Sequence, residues 1–592
     1  MIAATAHHEL SMDSGSAERR ASPLGLGPRG LLPNLYDLIV FILIAATFVA
    51  IAHGARQMSA SLSTLDIAPV TLDPWNLPEY ALRTTLRMFA AVVASLLFTF
   101  TIVPLAAKSR KAELVIIPAL DILQSVPVLG FLTFTVVFFM RLFPGSELGA
   151  ECAAIFAIFT SQAWNMAFSF YQSLRTIPHD LDEVSRHFQF SAWLRFWRLE
   201  VPFAAPGLIW NTMMSMSGGW FFVVASEAIT VGDTTIKLPG IGSWLAIAIE
   251  RQDIAAVVQA VLAMAVVILA YDQLIFRPVV AWADKFKFEQ TAAQQRPQSW
   301  VYNLVRRTRL IGRLVSPVTW LTARLALLRL PGGRPKLILT RPGIGKAGDV
   351  AWLALVLAGA AYALWLVIAY LRASLGIDDV YSAIGLGFLT LSRVVILIAI
   401  ASAIWVPIGV WIGLRPWVAE RVQPVAQFLA AFPANVLFPI AVVGIVSFKL
   451  NPNIWLSPLM VLGTQWYILF NVIAGASAFP TDLREVGTLY RLHSWQWWRD
   501  VILPGILPYY VTGALTASGG SWNASIVAEV ASWGDIKLKA VGLGGFIAEA
   551  TEAGDYPRVV LGIAVMSIFV VAFNRLLWRP LYRIAESRFR LD

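Results

Sequence analysis

The sequence predicts an all-α integral membrane protein of two parallel-repeat six-helix halves, with about 12 transmembrane helices. Three observations support this fold class. Of the 592 residues, 58% are hydrophobic and only 14% are charged; long apolar stretches recur along the chain; and the second half repeats the first at a constant spacing. Because a soluble protein carries roughly 25% charged residues, much of this surface needs lipid around it.

Apolar stretches long enough to cross a hydrocarbon core, which takes about 20 helical residues, set the order of the elements. They lie near 35–53, 84–107, 115–140, 149–173, 203–227, 255–276, 349–371, 386–414, 424–447, 456–478, 503–529 and 557–578. Pro118 and Pro127 interrupt the third stretch, and Pro424 and Pro433 interrupt its counterpart in the second half. We interpret 35–53 as a retained span, because it lies too far from the start for a signal peptide.

Loop charge predicts the orientation in the membrane. Short cytoplasmic loops favour Lys and Arg, and basic residues gather in the N-terminal tail, between Lys108 and Lys111, and in the central segment 278–348. Both termini are therefore predicted to be cytoplasmic. The net charge of +10 reflects this topology and does not indicate nucleic acid, because the basic residues form no polar domain face.

The central segment interleaves Trp, Leu and Val with Arg at helix-like spacing, at 299–315 and 318–330. Two interpretations stay open: a helix lying in the interface of an anionic leaflet, or a tether that satisfies the loop-charge rule. The single cysteine, Cys152, excludes an intramolecular disulfide and a Cys-based metal cluster.

An internal repeat is the most informative feature of the chain. Adding 302 to a position in the first half gives the same residue at many places over about 110 residues. Examples are Pro178 and Pro480, Asp180 and Asp482, Trp193 and Trp495, Pro202 and Pro504, Trp220 and Trp522, Glu227 and Glu529, and Gly242 and Gly544. Upstream the spacing is about 306, which pairs Arg87 with Arg393. Halves with an even number of spans share one orientation, so a path should lie between them.

Each half carries a long polar loop between its fourth and fifth spans, Pro178 to Pro202 and Pro480 to Pro504. Acidic residues near the start and a closing proline predict two short helices in each loop. Helices that project from a membrane can insert apolar anchors into a groove on a soluble protein. The alternative is an interfacial anchor with no partner, which explains a matched pair of loops less well.

These loops resemble the EAA signature of ABC importer permeases, in which Glu-Ala-Ala precedes a Gly and an Ile-x-Leu-Pro ending. The matches run from Glu183 to Pro202 and from Glu485 to Pro504. The downstream strings SGGWFFVVASEAI and GGSWNASIVAEV, followed by GDYPRVVLGI, look most like the nitrate, taurine, sulfonate and bicarbonate branch. The resemblance covers about 80–280 and 386–589, and it implies a type I ABC importer transmembrane fold.

The resemblance implies that the loops dock an ATPase. The coupling residues would be Asp182, Glu183, Val184, Gln189, Pro202, Glu485, Val486, Gly487, Arg491 and Pro504. Gln189 and Arg491 replace the family's Gly, which would permit a left-handed turn that is costly for other residues. We therefore expect either a docking geometry different from the family pattern or one loop that docks less tightly.

The resemblance also implies partners and a cycle. Two copies of a cytoplasmic ABC ATPase subunit, which hold ATP and Mg, would drive alternating access. A periplasmic or lipid-anchored substrate-binding protein would deliver a small anion of the nitrate, sulfonate, taurine or bicarbonate type. The chain itself would be a transport subunit of the bacterial inner membrane, embedded in lipid, with no bound cofactor, metal or nucleic acid, and not an enzyme. No GxxxxGK phosphate loop occurs in it.

On this interpretation the chain divides into six parts. They are a cytoplasmic tail (1–34), a first span with its periplasmic loop (35–79), a first permease domain (80–280), a basic cytoplasmic linker (281–348), a seventh span with its periplasmic loop (349–385) and a second permease domain (386–589).

Residues in the fifth span of each half are the candidates for a substrate pathway or gate. Small residues expose backbone to a cavity or let helices approach closely, and Trp can close a cavity; helix packing alone is the alternative. The candidates are Ser217, Gly218, Gly219, Trp220, Glu227, Gly519, Gly520, Ser521, Trp522, Asn523 and Glu529. The two glutamates are included because a carboxylate within a span is expensive in lipid.

Other polar residues in the spans could contact a substrate or bond to a neighbouring helix. They are Gln124, Ser125, Gln162, Asn165, Asn211, Gln427, Gln465, Asn471 and Ser525. The halves also differ: Phe221 corresponds to Asn523 and Phe222 to Ala524. We therefore expect a pathway with one polar and one aromatic wall.

Two other functions stay open. A secondary transporter with two six-helix halves would also be a parallel repeat, but it predicts coupling-ion carboxylates within spans and not the paired loops. An intramembrane enzyme would need a cluster of histidines or carboxylates, whereas the histidines lie in the tail and loops.

Overall fold

The computed structural model describes residues 70–124, 126–231, 234–286, 299–308, 342–479, 489–492 and 495–588, together with Val49, Ala52, Arg324 and Glu485. The predicted span at 35–53, most of the basic linker, and Val486 and Gly487 of the second loop lie outside the described residues. The described chain consists of long helices, short helices and two small β-hairpins.

The first half begins with a 3₁₀ turn at Pro74–Asn76 and continues through eleven helices and two strands of the described chain. They are α1 Leu77–Lys108, α2 Arg110–Gln124, α3 Val128–Leu142, α4 Glu147–Arg175, α5 His179–His187, α6 Ala192–Arg195, α7 Val201–Glu227, β1 Ala228–Val231, β2 Thr234–Lys237, α8 Ile241–Glu250, α9 Ile254–Tyr271, α10 Arg277–Ala283 and α11 Trp300–Arg307.

The described second half begins with a long helix, α12, and has three helices, α16 to α18, where the first half has α4. Its elements are α12 Pro342–Ser374, α13 Ile377–Gly413, α14 Pro416–Ala431, α15 Phe438–Ser447, α16 Pro452–Trp455, α17 Leu459–Leu462, α18 Gln465–Ser477, α19 Trp495–Trp497, α20 Leu503–Ala528, β3 Val530–Trp533, β4 Ile536–Lys539, α21 Leu543–Glu552, α22 Tyr556–Phe573 and α23 Arg579–Arg588.

The internal repeat holds in three dimensions. The pairs β1 and β3, β2 and β4, α8 and α21, and α9 and α22 begin and end 302 residues apart. The same spacing relates four π-helical turns, at Phe196–Glu200, Asp272–Phe276, Trp498–Ile502 and Asn574–Trp578. These turns lie before α7 and α20 and after α9 and α22. A shared spacing of regular and irregular elements confirms two halves of one design.

Helix ends follow local capping chemistry. The Ser146 hydroxyl accepts a hydrogen bond from the Leu148 N–H at the start of α4, and the Asp253 carboxylate accepts one from Ala256 at the start of α9. Such caps satisfy backbone donors that the first helical turn leaves free. Pro202 and Pro504 occupy the first turns of α7 and α20, as predicted.

Six helices of the described chain are long and apolar enough to cross a membrane, or up to eight spans if each of two bent helix pairs counts as one. The multi-pass all-α architecture is confirmed, and the figure of about 12 remains a prediction. The third stretch of each half is not one continuous helix. The chain breaks at Pro127 between α2 and α3, and at Pro433 between α14 and α15, whose segments meet at 79°. Proline at the break removes a backbone donor.

Three long helices form the centre of each half: α1, α4 and α7 in the first, and α13, α18 and α20 in the second. Glycine permits their close approach. A Cβ on Gly219 would lie 2.6 Å from Gln162 Nε2, and one on Gly513 would lie 2.7 Å from the Tyr467 carbonyl oxygen. Because these distances are shorter than van der Waals contact, a larger residue would push the helices apart.

The two β-hairpins were not predicted from the sequence. Each follows a fifth-span helix: β1 pairs with β2 after α7, and β3 pairs with β4 after α20, both antiparallel. Gly534, at the turn of the second hairpin, donates its N–H to the Ile249 carbonyl oxygen of the first half at 2.9 Å. Gln252 Nε2 donates to the Trp533 carbonyl oxygen at 3.3 Å. The halves are therefore bonded together at the end opposite the long loops.

Candidate functional site

The first long loop, Pro178 to Pro202, contains the two predicted short helices, α5 and α6. We call each long loop with its short helices a knob. Helix α5 ends in a left-handed turn at Gln189, whose φ is +52°. There the Phe190 N–H bonds to the Ser185 carbonyl oxygen at 3.0 Å, and the Gln189 N–H bonds to the Arg186 carbonyl oxygen at 2.9 Å. This hydrogen-bond pattern is a Schellman C-cap, which usually has Gly at the left-handed position.

Arg491 in the second loop has the same φ of +52°. Both copies therefore adopt the turn that the family's Gly would permit, although neither carries Gly. The price is steric, because the left-handed conformation places Cβ close to the following carbonyl oxygen, at roughly 1–2 kcal/mol per residue. The expected difference in docking geometry, or in the tightness of docking of one loop, remains a prediction.

The tip of the first knob is open to solvent. Glu183, Val184 and Gln189 are exposed, and the apolar side chains of Val184 and Phe188 are 51% and 69% exposed. In the second loop Leu489 and Tyr490 are 81% and 72% exposed. Exposed apolar side chains on a short helix are the anchors that a groove on a partner protein would accept.

Ion pairs hold the first knob against the bundle. Asp182, which is half-buried, pairs with Arg195 at 2.5 Å and with Arg186 at 2.8 Å. Glu200 pairs with Arg195 at 3.2 Å and with Lys108, the last residue of α1, at 2.9 Å. Asp182 thus links α5 to the segment that precedes α7.

The second knob lacks this chain of charges. The positions that correspond to Lys108, Asp182, Arg195 and Glu200 are Leu414, Arg484, Trp497 and Ile502. Ile502 is fully buried, and Trp497 packs against the main apolar core. Glu485 is described and exposed. In the described residues the two knobs therefore share the left-handed turn, while the positions of the charged residues of the first are taken by apolar residues or, at Arg484, by the opposite charge in the second.

A cavity of about 390 Å³ lies between the halves. The predicted residues Gly218, Gly519, Gly520, Trp522 and Asn523 line it, and so do Gln124, Asn165, Asn211 and Asn471 from the wider polar set. Sequence reasoning missed other lining residues, since nothing in their local pattern marks them. They are Trp164, Trp210, Tyr467, Thr512, Thr516, Asn574 and Trp578.

An apolar cleft of about 80 Å³ adjoins the cavity through Gly218, Phe222, Tyr467 and Gly520. Ser217, Phe221 and Phe432 also line this cleft. On the other side, the Asn523 side-chain oxygen accepts a hydrogen bond from the Val128 N–H at 2.7 Å. Aromatic and amide side chains of both halves line the cavity, such as Trp210 and Asn211 of the first half and Trp578 and Asn574 of the second, so the expected division into one polar and one aromatic wall remains a prediction.

Besides Ser217, which lines the cleft, three predicted pathway residues of the helix centres do not line the cavity. Gly219 packs against Gln162 and Met88, Trp220 is fully buried, and the Ser521 hydroxyl lies 2.9 Å from the Thr464 hydroxyl. These residues form the contact between helices, which is the packing alternative.

The predicted glutamates lie at the hairpin end and do not line the cavity. Glu227 accepts hydrogen bonds from Arg87 Nη1 at 2.7 Å and from the Gly242 N–H at 2.6 Å. Arg87 also pairs with Glu151 through two bonds of 2.6 Å, and all three side chains are fully buried. Glu151 was not singled out from the sequence.

Glu529 occupies the corresponding position in the second half. It accepts hydrogen bonds from the Thr390 hydroxyl at 2.9 Å, from Arg393 Nη1 at 3.1 Å and from the Gly545 N–H at 2.9 Å. A buried carboxylate satisfied by backbone and side-chain donors fixes the segment that supplies those donors. Both glutamates therefore hold the hairpin and the following helix on the fifth-span helix.

The cavity lies on the loop side of this closed end. Along α7 its lining residues run from Trp210 to Phe222, whereas the bonds between halves and the Glu227 site lie beyond that point. Among the described residues, no group of three or more His, Cys, Asp or Glu could hold a metal ion. The arrangement is a chamber between two halves, lined by aromatic and polar side chains, with bonds between the halves at the hairpin end and the long loops at the other end.

The chain matches a family model described as a binding-protein-dependent transport system inner membrane component, at residues 98–276 and 405–590. It is similar to the nitrate import permease protein NrtB of Synechocystis sp., with 26% identity over 194 residues that cover 32% of this chain and 67% of the relative.

It is also similar to the bicarbonate transport system permease protein CmpB of Synechococcus elongatus, with 30% identity over 190 residues, or 32% of this chain and 64% of the relative. The taurine transport system permease protein TauC of Escherichia coli is 26% identical over 180 residues, or 30% of this chain and 62% of the relative. Each match thus spans about two thirds of the relative's length.

Proposed function

The chain belongs to the family of binding-protein-dependent transport system inner membrane components, and we propose that it is the permease subunit of an ATP-driven ABC importer with both permease halves in one polypeptide. It is a multi-pass membrane protein of a family of transport subunits. We place it in the bacterial inner membrane with both termini cytoplasmic.

The matched pair of knobs is the observation that carries this proposal. Both keep a left-handed turn at φ +52° without Gly, and both expose apolar side chains at the tip. A strained backbone feature that is kept in two copies suggests a shape that a partner requires. Two ABC ATPase subunits, which hold ATP and Mg, would each receive one knob.

The closed hairpin end and the cavity on the loop side support alternating access. ATP-driven closure of the ATPase pair would bring the knobs together and favour the state in which the hairpin end is open. A ligand shifts such an equilibrium only by its differential affinity for the two states. A periplasmic or lipid-anchored binding protein would dock at the hairpin end and deliver substrate there.

We propose a small anion as the substrate. The named relatives are permeases for nitrate, bicarbonate and taurine. The cavity offers amide and hydroxyl donors from residues such as Asn165, Asn211, Asn471 and Thr512, which can solvate an anion without binding it tightly. Weak binding suits a conduit, because tight binding in the membrane would slow release.

The buried ionisable groups argue against a secondary transporter. That function needs carboxylates that gain and lose a coupling ion during the cycle. Glu151 and Glu227 are instead fully buried and saturated by Arg87 and the Gly242 N–H. Breaking such a pair leaves an uncompensated buried charge, which is strongly destabilising.

The proposal is tested by ATPase recruitment. The full chain is co-expressed with a candidate ABC ATPase subunit and purified in detergent. The double variant Glu183→Arg with Glu485→Arg should stay folded in the membrane and lose the ATPase from the purified complex. Glu250→Arg, on α8 at the hairpin end, is the control and should keep it. Full recruitment by the double variant would exclude the knobs as docking sites.

A further inference from the structure

Asp121 is the one acidic or basic side chain among the described residues that line the cavity. It lies near the end of α2, in the first half. Its Oδ2 atom accepts a hydrogen bond of 2.5 Å from Nη2 of Arg579, the first residue of α23 in the second half. The neighbouring residue Trp578 also lines the cavity. An ion pair between the halves therefore stands at the cavity wall.

A lone carboxylate at this place would oppose an anion, because like charges a few ångströms apart repel strongly where water is limited. Arg579 neutralises that charge. Its guanidinium carries five N–H donors in a planar fork that matches oxyanions, and the bond to Asp121 uses one of its nitrogens. The Arg579 side chain is 44% exposed and that of Asp121 34% exposed, and Arg579 adjoins the cavity through its bond to Asp121 and its neighbour Trp578, which both line it.

The internal repeat shows that this arrangement occurs on one side. Arg579 corresponds to Arg277, whose Nε atom bonds to Asp272 of its own half at 2.9 Å. Asp272 corresponds to Asn574, a neutral residue that lines the cavity. Asp121 corresponds to Gln427, whose amide lies 3.0 Å from Met213 Sδ. Arg579 thus lacks the local acid that Arg277 has, and it reaches across to the other half.

We propose that Arg579 is an anion-binding residue of the cavity and that Asp121 is its exchangeable counter-charge. A small oxyanion that enters the cavity takes donors of the guanidinium from Asp121, and the carboxylate reclaims them when the anion leaves. The pair makes the cavity selective for anions while preventing tight retention. This inference rests on the proposed function for its substrate class and adds the residues that recognise the charge.

The experiment measures anion binding to the full chain in lipid nanodiscs, by saturation-transfer NMR on the methyl protons of methanesulfonate, in chloride-free buffer. Asp121→Asn frees Arg579 and should bind methanesulfonate roughly five-fold more tightly, as expected for removal of a partly solvated unit charge. Arg579→Gln should bind it at least roughly five-fold more weakly, since the donor is lost and Asp121 is bare.

Two further variants separate recognition from structure. The double variant Asp121→Asn with Arg579→Gln should bind as weakly as, or little better than, Arg579→Gln, because the gain from Asp121→Asn requires the guanidinium. Arg277→Gln, at the matched position with its local partner, should bind like the unmodified chain. Nitrate should compete with methanesulfonate, and the cation choline should not.

Opposite effects of the two single variants support the inference, whereas a merely structural pair would weaken binding in both. Equal losses of affinity in the two single variants, or an unchanged affinity in Asp121→Asn, would overturn the inference. The melting temperature of each variant shows whether a loss of affinity reflects misfolding or lost packing. ATPase recruitment is read separately. If the chain recruits the ATPase but both single variants change the affinity for methanesulfonate in the same direction, only this inference is refuted. If the two variants change the affinity in opposite directions but the ATPase is not recruited, only the proposed coupling is refuted.

Discussion

The Lys108 ammonium lies 2.9 Å from a Glu200 carboxylate oxygen, which ties the last residue of α1 to the last residue before α7. Through Arg195 and Asp182 the same chain of charges reaches α5. At the corresponding place the second half has Leu414 and the fully buried Ile502. At these positions the first half thus has ion pairs and the described part of the second half has apolar packing.

This difference predicts the response to Glu200→Gln. Glu200 is almost fully buried while Lys108 is partly exposed, so loss of the carboxylate should lower the free energy of unfolding by about 1–2 kcal/mol. Thermal unfolding in detergent measures this effect. Retention of the ATPase on a column should also fall. Ile502→Val, at the matched position, should lower the free energy of unfolding by about 1 kcal/mol, and this loss should not depend on salt concentration. If the losses in Glu200→Gln and Ile502→Val depended on salt in the same way, the distinction between ion pairs and apolar packing would be refuted.

The left-handed turns predict that glycine stabilises the loops. Gln189→Gly and Arg491→Gly should each raise the free energy of unfolding by about 0.5–1 kcal/mol, since relief of steric strain exceeds the entropy that Gly adds to the unfolded chain. The chain offers a reverse control. Gly554 has φ +68° and corresponds to Gln252 at φ +55°, so Gly554→Ala should destabilise by about 1 kcal/mol. Chemical denaturation compares all three variants; a destabilised Gln189→Gly would contradict the prediction.

The buried ion cluster predicts unequal costs in the two halves. Arg87→Leu leaves Glu151 and Glu227 buried without their cation, which should cost about 3–5 kcal/mol and reduce the yield of folded protein. Arg393 is 12% exposed and, within the described chain, forms one ion pair, with Glu529, so Arg393→Leu should cost less, about 1–3 kcal/mol. Melting temperature and size-exclusion profile report both. Equal losses would show that burial of the second carboxylate, Glu151, contributes nothing.

The space around a glycine predicts how much an alanine substitution there destabilises the protein, and Gly242 and Gly519 differ in this respect. A Cβ on Gly242 would meet the Val224 carbonyl oxygen at 2.2 Å, whereas one on Gly519 would meet nothing within 4 Å. Gly242→Ala should therefore destabilise strongly, by about 2 kcal/mol or more, because backbone must move. Gly519→Ala should keep stability and narrow the cavity, which transport assays would detect as a lower rate. Normal transport in Gly519→Ala would place the path elsewhere.

The sequence predicted the halves well because hydropathy and the spacing of 302 are local, additive signals. The constant offset anticipated the matching bounds of α9 and α22, and the closing prolines anticipated the starts of α7 and α20. The hairpins were missed although 228–237 reads AITVGDTTIK, two β-branched runs around Gly-Asp, which is a hairpin signal. The hairpin signal was missed because it directly follows the apolar stretch 203–227.

The candidate site was predicted less completely, because it depends on contacts between distant segments. The loop residues could be named since each knob is one continuous motif. The cavity is formed by both halves, and the Asp121 and Arg579 pair joins residues 458 positions apart. Nothing local distinguishes Trp210 or Asn574 from other residues of a span. The turn at Gln189 is a local feature that the residue type does not predict, because the tertiary structure holds Gln189 in a conformation that this residue type disfavours.

Each half contains two π-helical turns, at which part of a helix can rotate about its axis. A π turn holds a residue more than an α turn, and the surplus can migrate along the helix without breaking it. Each residue it passes swings by about 100° around the helix axis. The turn at Asn574–Trp578 contributes Asn574 and Trp578 to the chamber lining, so a shift of its surplus residue would change which side chains face the chamber.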